Sequence, residues 1–293
     1  AMTKRAVVVG INDYSVQGFG NLGGCVRDAD AMYHTLIDAF SFDPAQVYLY
    51  KDAAASSSNI LRCLNYVLRI SEPGDVVCFY YAGHGGLHPS GTAGTFYQTI
   101  IPHSGRFITD WDLWQAADQL QPSWVNFTVV LDSCHSGGMV DPVAPTGAVR
   151  TIANGQAFIE TLVGTMKSVI PFGVTLPDVS TLSNNVHTVS AAPQATVCYT
   201  EAANREFVQQ AKATLLAASR WDEYAGETSS HGFLTDAILN TVNSSNFQIT
   251  HSELHTALTP LVHNAAGHEQ HPVLRGQANR MDGVFLEGFS DSR

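Results

Sequence analysis

The chain has 293 residues, of which 45% are hydrophobic and 14% charged, a composition typical of a globular protein with a large core. Its 26 acidic residues outnumber 15 basic residues, and the net charge of −11 argues against nucleic-acid binding. No stretch approaches the roughly 18 consecutive apolar residues of a spanning helix, which argues against a membrane partner.

The cysteines are scattered and odd in number: Cys25, Cys63, Cys78, Cys134 and Cys198. They form neither a disulfide framework nor a Cys-x-x-Cys metal pattern, so we expect no metal and no cofactor. Free cysteines favour a reducing compartment, and we expect a cytoplasmic protein. We also expect a monomer.

Short apolar runs alternate with helical patterns over the first half of the chain. Strands are predicted at residues 5–10, 46–50, 75–83 and 126–132, and helices at 28–40, 56–71 and from Thr109 to about Leu120. Thr109 and Asp112 have the spacing of a capping box at the start of the last of these helices. This alternation predicts right-handed βαβ crossovers and an α/β fold with a mainly parallel sheet.

The pattern weakens between residues 139 and 212, which are rich in Gly, Pro, Ser, Thr and Asn. We interpret this segment as an insertion or linker with one helix near residues 156–167. A fifth strand is predicted at residues 213–219, helices at 231–242 and 251–262, and a last short strand at 283–288. The whole chain is interpreted as one domain.

Two predicted strands are followed directly by reactive side chains. His84 lies in YYAGHGG after the third strand, and Cys134 lies in LDSCHSGG after the fourth. Ligand sites of open α/β sheets lie beyond the carboxyl ends of the strands, so neighbouring strands would place both side chains at one edge. A Cys–His pair can attack a carbonyl, with the thiolate as nucleophile and the imidazole as proton donor to the leaving amine.

The adjoining glycines allow backbone N–H groups to approach a reacting oxygen. The amides of Gly85 and Cys134 would then form an oxyanion hole, whose donors are worth roughly 3 kcal/mol each. The alternative is that each feature is structural, because a lone buried cysteine is usually a small core residue. The coincidence of both motifs on successive strand ends favours the catalytic interpretation.

The sequence resembles the caspase-like cysteine peptidases, in particular the metacaspases and the bacterial orthocaspases. The matching segments are GINDY (10–14), GCVRDADAM (24–32), YAGHGG (81–86), DSCHSGG (132–138), LLAASRWDEYAGE (215–227), HGFLTDAIL (231–239) and HPVLRG (271–276). The resemblance implies that His84 and Cys134 are the catalytic dyad. It implies a caspase-hemoglobinase fold with a six-stranded, mainly parallel sheet, helices on both faces and an antiparallel last strand.

In metacaspases an acidic pocket receives the arginine or lysine before the cleaved bond. By this resemblance Asp28 and Asp132 are the pocket carboxylates, Cys25 lies beside them, and Ala82 stands where many metacaspases carry serine. Two carboxylates would hold a guanidinium and reject an acidic side chain. The structural alternatives are a helix N-terminal carboxylate for Asp28 and a polar strand end for Asp132. Arg27 does not stand where the aspartate-binding arginine of true caspases should, so cleavage after Asp is the weaker interpretation.

Metacaspases usually carry calcium-binding aspartates after the catalytic histidine. Residues 85–109 contain neither Asp nor Glu, and Ca²⁺ needs several hard oxygen ligands, so we expect calcium-independent activity. Segment 139–212 is either a self-cleavage linker or a permanent loop that shields the cleft. Under the first alternative, the candidate cleavage sites are Arg150, Lys167 and Arg205.

Three other motifs are interpreted as coincidental. GFGNLGG (18–24) fits a dinucleotide fingerprint but begins eight residues after the first predicted strand, whereas a phosphate loop follows its strand directly. HSELH (251–255) and HEQH (268–271) lack the spacing of a metal site and are interpreted as surface histidines. Asn126 begins a glycosylation triplet but lies in a core strand.

The sequence therefore predicts a cysteine endopeptidase that cleaves protein or peptide substrates after Arg or Lys. The domain comprises a large-subunit-like region (1–138), the insertion (139–212) and a small-subunit-like region (213–293). The rival hypothesis is a caspase-fold scaffold with little turnover that binds a partner through the same cleft. An intact Cys–His pair argues against that rival.

Overall fold

The computed structural model describes residues 1–89, 96–109, 112–113, 116–117, 124–133, 212–220, 223, 225–228, 230–266 and 269–289. The predicted helix near residues 156–167 and the candidate cleavage sites Arg150, Lys167 and Arg205 lie outside these residues. Cys134 also lies outside them.

The central layer is a six-stranded sheet with the strand order β2-β1-β3-β7-β8-β9. Its strands are β1 (Lys4–Gly10), β2 (Val47–Lys51), β3 (Val76–Ala82), β7 (Asn126–Asp132), β8 (Thr214–Ala217) and β9 (Val273–Arg275). The first five strands are mutually parallel, and β9 pairs antiparallel with β8. The predicted sheet, with its antiparallel last strand, is confirmed.

Two helices of the first half cover opposite faces of the sheet. Helix α1 (Cys25–Asp38) connects β1 to β2, and helix α2 (Ser57–Arg69) connects β2 back across β1 to β3. Because such crossovers are right-handed, the change of direction places α1 and α2 on different faces. The point of reversal lies between β1 and β3, where α/β sheets commonly bind ligands.

The second half contributes helices α3 (Phe233–Ser244), α4 (His251–Ala266) and α5 (Ala278–Met281). Helix α3 packs against both α1 and α4, so these helices share a layer. No helix among the described residues is both long enough and apolar enough to cross a membrane.

The core strands are buried because their sequences are apolar on both faces. All residues of β3 and β7 are buried, as expected for parallel strands that are covered by helices on both sides. Asn126 is fully buried at the start of β7, and its side-chain amide donates to the carbonyls of Val284 and Glu287. Its interpretation as a core residue is confirmed.

The predicted last strand at residues 283–288 is wrong. The sixth strand is Val273–Arg275, whereas residues 283–289 form turns with one isolated bridge between Thr250 and Val284. Leu286 has a φ of 58°, which is incompatible with an extended strand. Phe285 and Leu286 are fully buried, so the apolar run indicated burial correctly but not an extended backbone.

A small second sheet follows His84, in a segment whose sequence predicted no strand. It consists of β4 (Gly85–Pro89), β5 (Phe96–Ile100) and β6 (Ile108–Thr109), all antiparallel. After β6, the predicted capping box is present. Thr109 N donates to Oδ2 of Asp112, and Asp112 N donates to Oγ1 of Thr109.

Candidate active site

The carboxyl ends of three central strands lie level with one another. Gly10 of β1 pairs with Ala82 of β3, and Ala82 pairs in turn with Asp132 of β7. The chain keeps this register past the strand end, because Gly83 N donates to the Asp132 carbonyl over 3.5 Å. Ala82 and Asp132 are therefore direct partners, and in sequence His84 follows Ala82 by two residues, as Cys134 follows Asp132.

The imidazole of His84 is buried and held by a loop carbonyl. Its Nε2 lies 2.7 Å from the carbonyl oxygen of Gly20. Because a carbonyl can only accept, Nε2 must carry the proton in this contact. In neutral imidazole Nδ1 is then the unprotonated nitrogen, which can accept a proton from a thiol.

The backbone of His84 is held by two buried tyrosine hydroxyls. His84 N donates to the Tyr14 hydroxyl over 2.7 Å, and the Tyr81 hydroxyl donates to the His84 carbonyl over 2.7 Å. The two hydroxyls lie 2.9 Å apart, and burial raises the pKa of Tyr14 well above its ordinary value. The Tyr14 phenol therefore remains a neutral donor and acceptor, and its ring packs 4.5 Å from the imidazole.

Gly83 allows the tyrosine pair to come this close to the strand end. A Cβ at Gly83 would lie 2.2 Å from the Tyr14 hydroxyl and 2.5 Å from that of Tyr81. Any larger residue would displace the hydroxyls that position His84. The close approach of the two tyrosine hydroxyls thus explains why a glycine precedes His84.

The amide of Gly85 is directed away from the small sheet. Ile101 N donates to the His84 carbonyl, which makes His84 and Ile101 a hydrogen-bonded position of the antiparallel pair. Gly85 stands opposite Ile100 at the next position. Because such positions alternate, the N–H of Gly85 points away from β5, as an oxyanion donor requires.

Asn12, in the GINDY motif, fixes the start of α1. Its side-chain carbonyl accepts from Cys25 N over 2.9 Å and from Val26 N over 3.2 Å. A Cβ at Gly10 would lie 2.4 Å from the Cys25 carbonyl, so this glycine lets the helix end pack against β1. Cys25 itself is buried at the helix start, and Ala82 is buried at the end of β3.

Both predicted pocket carboxylates contact the N-terminus of α3. Asp28 is buried and accepts from Nδ1 of His231 over 2.7 Å and from Gly232 N over 3.0 Å. Asp132, also buried, accepts from the backbone N–H and the hydroxyl of Thr235. The structure thus brings the two aspartates to one helix end.

These contacts compensate for a missing helix cap. Gly232 is the N-cap residue of α3 and has no side chain to accept from the first turn. Asp28 and Asp132 supply carboxylates there from two other elements, in the position that the helix dipole favours. The sequence suggested an interaction of Asp28 with the dipole of its own helix, α1, but not the contact with the N-terminus of α3.

Several positioning residues were not identified from the sequence. Tyr14 and Asn12 lie in a motif that was recognised only as a family signature, and Gly20 lies in the glycine-rich segment interpreted as coincidental. Gly20 acts through its backbone carbonyl, which no residue type reveals. His231 lies more than 200 residues after Asp28, and Thr235 lies more than 100 residues after Asp132. No local sequence pattern connects the members of either pair.

In sequence the chain is similar to metacaspases. Residues 4–143 match the family model described as metacaspase, peptidase C14 domain. The chain is 34% identical over 149 residues to metacaspase-4 of Arabidopsis thaliana, covering 48% of this chain and 35% of the relative. It is 32% identical over 192 residues to metacaspase-9 of the same plant, covering 61% of this chain and 58% of the relative.

Solved structures show the same fold. A crystal structure of a Geobacter sulfurreducens protein matches with a TM-score of 0.67 at 16% identity, covering 98% of this chain and 100% of that chain. Caspase-1 from Spodoptera frugiperda matches with a TM-score of 0.52 at 12% identity, covering 94% of this chain and 87% of that chain.

The six-stranded sheet, with its antiparallel last strand, and the match to a caspase structure show a caspase-like fold. In sequence the chain is metacaspase-like, because just under half of it matches the metacaspase, peptidase C14 domain model and 48–61% of it aligns with the plant metacaspases. The matched region spans about a third to just over half the length of those relatives.

Proposed function

We propose that this chain is a cysteine endopeptidase that uses His84 and Cys134 to cleave protein or peptide substrates after Arg or Lys. The observation that carries the proposal is the pairing of Ala82 with Asp132, which gives the two reactive residues equivalent positions beyond adjacent strands. We further propose that the enzyme is a monomer, does not require calcium and acts in the cytoplasm.

The hydrogen bond from His84 Nε2 to the Gly20 carbonyl supports the following proton movements. Nδ1 of His84 takes the Cys134 proton, and the thiolate attacks the carbonyl carbon of the scissile bond. The resulting oxyanion accepts hydrogen bonds from the amides of Gly85 and Cys134. Nδ1 then returns its proton to the departing amine, and water hydrolyses the thioester.

Basic specificity is proposed from the charge at the pocket. Asp28 and Asp132 place two buried carboxylates at one helix end, and an ionised carboxylate offers about four acceptor sites. A guanidinium can therefore share them with the helix amides through charge-assisted bonds. Arg27 Nε donates a hydrogen bond to the Ser230 carbonyl at the surface. This position outside the pocket supports a pocket for basic rather than acidic side chains.

Fluorogenic peptides ending in Arg, Lys or Asp test the proposal. The parent protein, Cys134→Ala and the matched control Cys63→Ala are assayed in reductant, with calcium or with chelator. We expect cleavage after Arg or Lys that survives chelator, is lost in Cys134→Ala and is retained in Cys63→Ala.

Other outcomes are equally informative. Cleavage after Asp would overturn the pocket assignment and keep the dyad, and loss of activity in chelator would overturn calcium independence. Absence of cleavage, even after limited proteolysis, would favour the rival scaffold. Recovery of fragments ending at Arg150, Lys167 or Arg205 from the active protein, but not from Cys134→Ala, would identify segment 139–212 as a self-cleaved linker.

A further inference from the structure

Three potential metal ligands meet at the surface of the second half of the chain. His263 lies in the last turn of α4, and Glu269 and His271 lie in the segment that leads to β9. One ligand atom from each residue lies within 4.8 Å of the others. The motif HEQH, taken alone, lacks metal spacing, but the fold adds a histidine from the preceding helix.

His271 is oriented in the way that metal-binding histidines are. Its Nδ1 contacts Oε1 of Glu223, and its backbone N–H donates to Oε2 of the same carboxylate over 2.8 Å. Glu223 is buried, so it fixes both the ring and the chain at this residue. A carboxylate on one ring nitrogen sets the tautomer and leaves the other nitrogen as a basic ligand.

The remaining nitrogen of His271 faces the other ligands. Its Nε2 lies 3.4 Å from Oε2 of Glu269, and its ring stacks on that of His263 with centroids 5.1 Å apart. In a tetrahedral zinc site with bonds of about 2.0–2.1 Å, adjacent ligand atoms lie about 3.3–3.4 Å apart. The Nε2–Oε2 separation already matches that spacing, and His263 and Glu269 are exposed enough for small rotations to complete it.

We propose that His263, Glu269 and His271 bind one zinc ion, with Glu223 as the residue that positions His271. Two borderline imidazole nitrogens with one carboxylate oxygen form a ligand set that suits zinc better than calcium or magnesium, and water completes the tetrahedron. The ion joins the end of α4 to the chain that enters β9. This zinc site shares no residue with the proposed dyad or the predicted pocket, so it is independent of the proposed peptidase function.

Zinc content tests the site directly. The full chain, free of any affinity tag and carrying Cys134→Ala to remove competing thiolate binding, is equilibrated with Zn²⁺ and its bound metal is measured. Cobalt substitution reports the geometry through the intense visible absorption of tetrahedral Co²⁺. His263→Ala and His271→Ala are compared with His34→Ala, an exposed histidine on α1.

We expect one zinc per chain, a melting temperature that rises on zinc addition, and loss of both in His263→Ala and His271→Ala. His34→Ala should behave as the parent, and Glu223→Gln should weaken binding by about 10- to 100-fold. Because His263 is exposed, its variant should fold as the parent does in chelator. Absence of stoichiometric zinc, or binding that persists unchanged in both ligand variants, would overturn the proposal.

Discussion

The carbonyl oxygen of Gly20 lies 2.7 Å from Nε2 of His84 and fixes the orientation of the candidate catalytic imidazole. This contact joins the loop before α1 to the end of β3. It assigns the proton of a neutral ring to Nε2 and the acceptor role to Nδ1.

The hydroxyl of Tyr14 is expected to support both folding and catalysis. Tyr14→Phe leaves the buried N–H of His84 without its acceptor, which costs roughly 1–3 kcal/mol of unfolding free energy. We expect that loss in urea unfolding and a lower kcat. Tyr48→Phe, at a partly exposed tyrosine of β2, is the control and should change neither quantity. Unaltered stability and kcat in Tyr14→Phe would refute this role.

Two glycines near the site should differ in their tolerance of substitution by alanine. Gly83→Ala places a methyl group on the Tyr14 and Tyr81 hydroxyls, and such overpacking typically costs about 1–3 kcal/mol. Gly20→Ala meets no atom within 4 Å and keeps the carbonyl that His84 uses. Thermal unfolding and peptidase assays should show losses for the first variant and near-parental values for the second. Equal behaviour of both variants would contradict this packing argument.

The charge of Asp132 should determine preference for basic peptides. Asp132→Asn keeps an acceptor for the Thr235 amide and removes the charge, so we expect about tenfold or more loss of kcat/KM for arginine peptides. Asp28→Asn should act in the same direction. Asp30→Asn, at an exposed aspartate of the same helix α1 paired with Lys51, is the control. Unchanged selectivity in folded Asp132→Asn would show that the carboxylate serves only α3.

How far the sequence predicted this structure depends on the range of each interaction. Strand β7 was predicted with its observed bounds because a short apolar run between polar residues is a local signal. The second sheet was missed because the segment after His84 is rich in Gly, Ser and Thr. The Tyr14–His84 contact joins residues 70 positions apart, so only the folded chain reveals it.

The site itself was predicted in part. Placing His84 and Cys134 beyond neighbouring strands required β3 and β7 to be adjacent, and the structure confirms that adjacency. Asp28 and Asp132 were expected as pocket carboxylates. Their contacts with α3 could not be predicted, because α3 follows the long insertion and is distant from both aspartates in sequence. Cys134 lies outside the described residues, so its pairing with His84 stays a prediction.

The interpretation of His251 as a surface histidine is wrong, because its side chain is buried, and this burial should make the fold acid-sensitive. Burial lowers the pKa of this histidine from 6.5 to about 4, while Nδ1 contacts the Gly283 carbonyl and Nε2 contacts the Thr128 hydroxyl. A folded-state pKa below the unfolded value means that the unfolded chain binds more protons, so stability falls as pH decreases from 6.5 towards 4.

Urea unfolding at pH 7 and pH 5 measures this effect. We expect His251 to account for a loss of roughly 2 kcal/mol between these values. The loss should shrink in His251→Gln and persist in His255→Gln, whose ring contacts the Pro272 carbonyl on the same helix α4. An identical pH dependence in parent and His251→Gln would contradict the assignment.

Alkylation of Cys134 tests the central claim of a His84–Cys134 dyad most directly. Thiolates react and thiols do not, and burial raises the pKa of Cys78 to about 12 and that of Cys63 above its ordinary value. The protein is treated briefly with iodoacetamide near neutral pH, and the modified cysteines are identified by mass spectrometry in the parent and in His84→Ala.

The dyad predicts that Cys134 is modified well before Cys25, Cys63 and Cys78, and that peptidase activity is lost in step with this single modification. In folded His84→Ala the rate at Cys134 should fall to that of an ordinary thiol. Modification of Cys134 no faster than that of Cys63, or a rate at Cys134 that is unchanged by His84→Ala, would contradict the dyad.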